Sequence, residues 1–426
     1  MIEDIYEKFL ECVQVSTDTR NIIQGSLFIA LKGEKFNANQ FAADALEKGA
    51  RYALIDEAEY QQDERFILVQ DTLQTLQKLA RHHRRQFDIP VLGINGTNGK
   101  TTTKELVNRV LSVKYKTLAT QGNLNNHIGV PLTLLQLRKE HEIAIIELGA
   151  NSVGEIAMLC EIAEPSHGLT TNIGKAHMEG FGGFEGAIRG ESEQYHYLIQ
   201  TRGTVFINSE NPILSNMAKR FEAPLFYPAE GDYFHCKLIS ADPFIIYKHE
   251  NGQVTETKLI GAYNFENIAA ALCIGKYFEI PAEAANQTVS QYQPSNKRSQ
   301  LIEKGSNTII MDAYNANPDS MQAAIINLNK MKVGHKVAIL GDMFELGKDS
   351  PAEHVAIGTL LTQCNINDVL LCGSMMEDAK KTYPEAHFFP NKEQLKTYLQ
   401  TQNYEHATIL LKASRGIALE TILDDL

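Results

Sequence analysis

No apolar run in the 426-residue chain approaches the roughly 18 to 20 residues needed to span a bilayer. The acidic start, Met1-Ile-Glu-Asp-Ile-Tyr-Glu-Lys8, lacks the pattern of a secretory signal. These absences argue against stable membrane insertion and lead us to expect a cytoplasmic protein. The six cysteines (Cys12, Cys160, Cys236, Cys273, Cys364, Cys372) form no Cys-x-x-Cys pair, which points to reduced, mostly buried thiols. Positive charge is also scarce. Forty Lys and Arg against 52 Asp and Glu give a net charge of −12, a poor balance for binding nucleic acid. The one basic cluster, Arg81-His-His-Arg-Arg85, reads as a solvated helix end before a linker. With 43% hydrophobic and 22% charged residues the chain has the composition of a globular protein of two to four domains.

Against this background one stretch stands out. Val91-Leu-Gly-Ile-Asn-Gly-Thr-Asn-Gly-Lys-Thr-Thr-Thr-Lys104 passes from an apolar run through three glycines, Gly93, Gly96 and Gly99, into a helix-like pattern. It reads as a strand, a phosphate-cradling loop and the first turn of a helix. Gly96, Thr97, Asn98 and Gly99 let backbone N–H groups turn inward, the helix start at Lys100, Thr101 and Thr102 adds partial positive charge, and Lys100 supplies a mobile ammonium. Thr101 is placed to put its hydroxyl on Mg²⁺, so a nucleotide's phosphates and Mg²⁺ are the expected ligands. The common nucleotide loop would have glycine at position 94, where this chain has Ile94.

That departure is informative, because Gly-Ile-x-Gly-Thr-Asn-Gly-Lys-Thr-Thr resembles the ATP loop of the Mur ligases, which implies that the nucleotide cofactor is ATP. These are the amide-forming enzymes of bacterial cell-wall precursor synthesis, related to the folylpolyglutamate synthetases. Other segments resemble the family in the same order along the chain.

Residues 1–83 read as a small α/β unit. Ser16-Thr-Asp-Thr-Arg20 could be a simple capping loop. Followed by Gly25-Ser-Leu-Phe-Ile-Ala-Leu-Lys-Gly33, it is similar to the family's uridine-nucleotide-binding domain, which implies substrate roles for Ser16, Thr19 and Arg20. The usual Asp-Gly-His is Asn37-Ala-Asn39 here.

Over residues 84–294, strands alternate with helices, which predicts a doubly wound, mostly parallel sheet carrying the ATP site. Glu147 ends an apolar strand and His177 lies beyond another. A buried carboxylate needs a partner or a cation, although either residue could be structural. The resemblance implies that both hold a second Mg²⁺ between the γ-phosphate and the acceptor carboxylate. It also implies that Asn125 and Asn126, in Thr120-Gln-Gly-Asn-Leu-Asn-Asn-His-Ile-Gly-Val-Pro131, contact the muramoyl substrate. Asn267 would lie near adenine, with Asn264 three residues before it as a possible N-cap. Most of the family has a lysine six residues after a Glu-Gly glutamate, carbamylated by CO₂ to help hold that Mg²⁺. Counting from Glu185 places Glu191 there, a built-in carboxylate or an ordinary solvated acid.

Residues 295–426 read as a Rossmann-like α/β domain. Arg298 stands where the family has an arginine that reaches the ATP phosphates. Asp312-Ala-Tyr-Asn-Ala-Asn-Pro-Asp-Ser-Met321, with Leu340-Gly-Asp-Met-Phe-Glu-Leu-Gly347 and Lys412-Ala-Ser-Arg415, resembles the branch that adds D-alanyl-D-alanine to UDP-MurNAc-tripeptide. This implies roles for Asp312 toward the nucleotide and for Tyr314, Asn315, Asn317 and Ser320 toward the substrates.

The expectation is therefore a three-domain α/β ligase, monomeric, working on small molecules through an acyl phosphate, with Lys100, Glu147, His177 and Glu191 as its catalytic set. A Mur-type or folate ligase with another acceptor, or a nucleotide-gated ATPase switch, would share the phosphate loop.

Overall fold

The computed structural model describes residues 2–426, and among these no helix is long and apolar enough to cross a membrane. The first sheet is parallel, ordered Val15–Ser16, Leu27–Ile29, Tyr52–Ile55, Phe66–Leu68. Beside it a short hairpin pairs Lys32–Gly33 with Phe36–Asn37.

The second sheet has six parallel strands in the order Leu225–Tyr227, Thr204–Asn208, His167–Thr170, Val91–Asn95, Ile143–Glu147, Thr117–Ala119. Val91–Asn95 and Ile143–Glu147 are buried along their whole length, the pattern of a parallel strand covered on both faces. The chain leaves Val91–Asn95, forms the two strands on one side, then crosses to His167–Thr170 on the other. This reversal opens a crevice at the strands' carboxyl ends, where open α/β sheets bind ligands.

Residues 208–258, legible in sequence only as strands and turns, supply most of a three-stranded antiparallel sheet, Cys236–Ala241, Phe244–His249 and Val254–Ile260. The last sheet pairs Gln300–Lys304 antiparallel with Asn307–Asp312, and continues in parallel through Ala407–Lys412, His335–Gly341, Asp368–Cys372 and His387–Phe389.

These layers share cores. One buried cluster runs from Ile5, Phe9 and Leu27 to Val91 and Ile146, so the first sheet's underside packs on the second unit. Another takes in Met178 and Ile260 together with Ile310 and Met321. The six cysteines are free thiols; Cys160, Cys236, Cys273 and Cys372 are buried.

The basic cluster at the end of helix Thr72–Arg84 is only partly solvated: Arg85 is exposed while His83 is buried. His83 is 3% exposed, between Tyr6 Oη and the Leu137 carbonyl, both at 3.0 Å. Arg81 and Arg85 both donate to the Glu164 carboxylate, and Arg84 donates to the Ala163 and Phe87 carbonyls. The cluster is basic because it must meet the carbonyls and single carboxylate at the C-terminal end of helix Glu155–Ala163.

Candidate active site

The phosphate loop bridges strand Val91–Asn95 and helix Lys100–Leu111. Gly96 and Gly99 have φ of +122° and +83°. A Cβ on Gly96 would stand 2.3 Å from Thr171 Oγ1, and one on Gly99 would stand 2.5 Å from Asn267 Oδ1. Glycine is thus required twice, by conformation and by close approach. The first-turn N–H groups of helix Lys100–Leu111 have no intrahelical acceptors and can receive phosphate oxygens. Lys100 Nζ donates to the Gly96 carbonyl and, at 3.1 Å, to that of Thr97.

The segment that leads from strand His167–Thr170 toward His177 holds the loop in shape. Asn172 accepts from Thr97 N through its carbonyl at 2.9 Å and from Asn98 N through its side chain at 3.0 Å, while its amide donates back to the Asn98 carbonyl at 3.0 Å. Thr171 Oγ1 donates to the same carbonyl at 2.6 Å. The available signal was the position of Thr171 and Asn172, directly after buried strand His167–Thr170.

Glu147 ends its strand only 1% exposed. Its Oε1 accepts from Thr101 Oγ1 at 3.0 Å and from Asn125 Nδ2 at 2.9 Å, whereas its Oε2 has no hydrogen-bond partner. Lys104 Nζ lies 3.7 Å from that oxygen and donates to the Thr120 carbonyl at 2.8 Å. A buried oxygen without a donor beside a threonine hydroxyl is the hard-oxygen chemistry that suits Mg²⁺, so Thr101 and Glu147 fit that ion.

The other two expected metal ligands have partners of their own. Glu191, 4% exposed, accepts at Oε2 from Asn95 Nδ2 at 2.9 Å and Gly96 N at 3.0 Å. Burial pushes its pKa up, against the pull of Lys100 and the Gly96 N–H. His177, with φ of +50°, sets Nδ1 against the Glu345 carboxylate; burial lowers its pKa while Glu345 pulls it upward. Among the described residues no three His, Cys, Asp or Glu side chains form a ready metal cluster.

Asn267 occupies the flank of the loop. It accepts from Thr103 Oγ1 at 3.0 Å and donates to Asn264 Oδ1 at 2.8 Å, and Asn264 in turn donates to the Ile260 carbonyl at 2.9 Å. Thr102 is buried in the helix's first turn. Asn126 uses Oδ1 to accept from the N–H groups of Ile128 and Gly129, starting helix Gly129–Leu134.

The Asp312–Met321 segment reaches the loop directly. Asn317 Nδ2 donates to Asn98 Oδ1 at 2.8 Å, and Asn317 also caps helix Pro318–Lys330 in a capping box with Ser320. Tyr314 meets two guanidinium groups, Arg298 at 3.8 Å and Arg415 at 5.7 Å from its ring centre. Asp312 pairs with buried Lys412 at 2.7 Å and accepts from Ser299 N at 3.2 Å. Asn315 offers its carbonyl to Lys412 at 3.4 Å. Glu345, Lys412 and Arg415 were not assigned roles from the sequence.

Ser16, Thr19 and Arg20 form a compact turn at the end of an edge strand of the first sheet. Ser16 Oγ donates to the Asp18 carbonyl, and Arg20 grips the Asp18 carboxylate, holding its pKa down at about 2. Thr19 opens the short 3₁₀ helix.

Three family models match in succession: Mur ligase family, catalytic domain, over residues 11–84; Mur ligase middle domain over 94–275; and Mur ligase, glutamate ligase domain, over 297–415. The UDP-N-acetylmuramoyl-tripeptide--D-alanyl-D-alanine ligase of Bacillus subtilis is 35% identical over 97% of this chain and 92% of its own length. The enzyme of the same name from Escherichia coli is 34% identical over 96% and 92%. Among solved structures, MurF from Acinetobacter baumannii superposes with a TM-score of 0.89 at 30% identity, covering 100% of this chain and 98% of that one. MurF ligase from Thermotoga maritima in complex with ADP gives 0.86 at 27%, covering 98% and 97%. With its phosphate loop, its buried strand-end carboxylate and all three matching regions in order, the chain belongs to the Mur ligase family.

Proposed function

We propose that this protein is an ATP-dependent peptide ligase that adds D-alanyl-D-alanine to UDP-MurNAc-tripeptide in peptidoglycan precursor synthesis. The observation that carries this reading is the Asn98–Asn317 contact, which sets the phosphate loop against the Asp312–Met321 segment. A nucleotide switch has no need of such a second lobe over its phosphates. The relatives' shared name supports the choice of acceptor.

The chemical problem is that a carboxylate is a poor electrophile. Transfer of the γ-phosphoryl group to a carboxylate oxygen gives an acyl phosphate and ADP. The dipeptide amine then attacks the carbonyl carbon, and the tetrahedral intermediate expels phosphate as the amide forms. In this reading Lys100 and the helix N-terminus spread charge over the β- and γ-phosphates, Asn267 lies beside the nucleotide, and Arg298, stacked on Tyr314, approaches the phosphates from the other side. Thr101 and Glu147 would hold Mg²⁺, which neutralises phosphate charge when bound. A second Mg²⁺ would draw on Glu147 together with Glu191 and His177, the latter two engaged here with Gly96 and Glu345. Asn125 and Asn126 would meet the muramoyl peptide, and Ser16, Thr19 and Arg20 the uridine nucleotide.

We assign UDP-substrate binding to residues 1–83, ATP binding to 84–294 and a Rossmann-like ligase domain to 295–426, in a cytoplasmic monomer. The net charge of −12 favours small-molecule substrates over nucleic acid. The test is phosphate release together with incorporation of labelled D-Ala-D-Ala, offered in parallel with L-Lys, meso-diaminopimelate and L-Glu. Release should require both the UDP-sugar peptide and the dipeptide. Undiminished release with ATP and Mg²⁺ alone, or preference for another acceptor, would overturn the reading.

A further inference from the structure

Lys104 follows Lys100 by one helical turn but points into the protein, 3% exposed. Its ammonium faces Glu147 Oε2 from 3.7 Å without hydrogen-bonding to it. Thr120 fixes that separation at both ends. Its carbonyl accepts from Lys104 Nζ at 2.8 Å, and its hydroxyl accepts from Glu147 N at 3.0 Å. The carboxylate is therefore compensated in charge while the lone pairs of Oε2 stay unclaimed. A direct salt bridge would have used them, and a carboxylate with no cation nearby would have been costly to bury.

We propose that Lys104 is a positioning residue that keeps the Thr101–Glu147 site closed to Mg²⁺ until nucleotide phosphates arrive. The proposal rests on the ligase reading, specifically on Thr101 and Glu147 as ligands of the ion. The Lys104–Glu147 pair is neutral by itself. A dication added alone leaves two uncompensated positive charges in a site from which water is largely excluded, and the ammonium repels it. Phosphate oxygens supply the missing negative charge, so metal and nucleotide enter together. Removing the lysine's charge leaves a buried carboxylate that a dication alone can satisfy.

The test needs no turnover. Mn²⁺ uptake by the full-length protein is followed through the paramagnetic resonance of the free ion, with and without ADP, each against a protein-free control containing the same ADP, which itself binds the ion, and Mg²⁺ is used as competitor. Wild type should take up Mn²⁺ only with ADP present. Lys104→Gln should take it up alone, with affinity raised by about tenfold or more, because a repelling charge has gone from a poorly screened site. Lys104→Gln/Glu147→Gln should lose the gain. Thermal melting gives a second readout: Mg²⁺ alone should raise the Tm of Lys104→Gln and leave that of wild type unchanged. Equal nucleotide-free affinity in wild type and Lys104→Gln overturns the proposal, as does a variant that stays unfolded at every Mg²⁺ concentration, since the vacated site should be refilled by the ion. Absence of Mn²⁺ uptake by wild type even with ADP would remove the metal reading and the proposal with it, while phosphate release still reports separately on ligation.

Discussion

Asn98 in the phosphate loop and Asn317 at the start of helix Pro318–Lys330 are hydrogen-bonded to each other across a sequence separation of 219 residues, Nδ2 of Asn317 to Oδ1 of Asn98 at 2.8 Å. The same Asn317 accepts from Ser320 N at 2.9 Å, so one side chain caps a helix and touches the nucleotide loop. Asn98→Ala removes only the second function. It should lower kcat/KM for ATP with little change in Tm, whereas Asn317→Ala should also cost about 1 kcal/mol of stability through the lost cap. A double-mutant cycle on kcat/KM should give a coupling of roughly 0.5–3 kcal/mol. Strictly additive effects would show that the contact does no catalytic work.

Lys100 is held over the loop by the Gly96 and Thr97 carbonyls, close to where phosphate must lie. Lys100→Ala should reduce kcat by about two to three orders of magnitude, the usual loss for one preorganised charge donor. Circular dichroism should show an unchanged fold. Wild-type turnover in this variant would remove the loop from the mechanism.

How far the sequence revealed this site depended on how local each constraint was. Gly96 and Gly99 were legible because backbone conformation and close approach demand glycine whatever surrounds them. Glu147 was legible because an acid ending an apolar strand has few cheap explanations. The pairings were not, since Glu345, Asn172 and Lys104 meet their targets only through the fold. The resemblance gave Ser320 a substrate role, while the fold shows it closing a capping box with Asn317. The pairing of Arg81 and Arg85 with Glu164 was not legible because helix Glu155–Ala163, whose end they meet, lies far along the sequence.

Lys412 is 2% exposed and its ammonium lies 2.7 Å from Asp312 Oδ2, at the carboxyl ends of two neighbouring strands. Lys412→Met should destabilise the protein by about 3–5 kcal/mol, because it strands a largely buried carboxylate. Asp312→Asn/Lys412→Met should recover part of that loss in urea denaturation. If the single and double variants unfold at the same urea concentration, the pair is not coupled.

Glu191 and Glu193 separate a site role from a structural one. Glu193 accepts from Gly154 N at 2.6 Å and Ala157 N at 2.8 Å, capping helix Glu155–Ala163. Glu191 instead accepts from Gly96 N in the phosphate loop. Glu193→Gln should therefore lower Tm and spare turnover, while Glu191→Gln should lower Mg²⁺-dependent turnover more strongly. If the built-in carboxylate takes the place of a carbamate, activity should also be indifferent to removal of CO₂ and bicarbonate. The pH dependence follows from the raised pKa of Glu191, whose ordinary value is 4.5. When the folded-state pKa exceeds the unfolded one, the folded protein holds its proton longer. The stabilising contribution of protonated Glu191 is then complete below about 4.5 and is lost as pH rises through the folded-state value. Glu191→Gln has no such proton to lose. Its stability relative to wild type should accordingly improve as pH climbs above 4.5, measured by urea denaturation at a series of pH values. A difference that stays constant with pH would mean that Glu191 titrates as it does in the unfolded chain. Full activity in Glu191→Gln, or a bicarbonate requirement in wild type, would rule out its role at the metal while leaving the ligase reading in place.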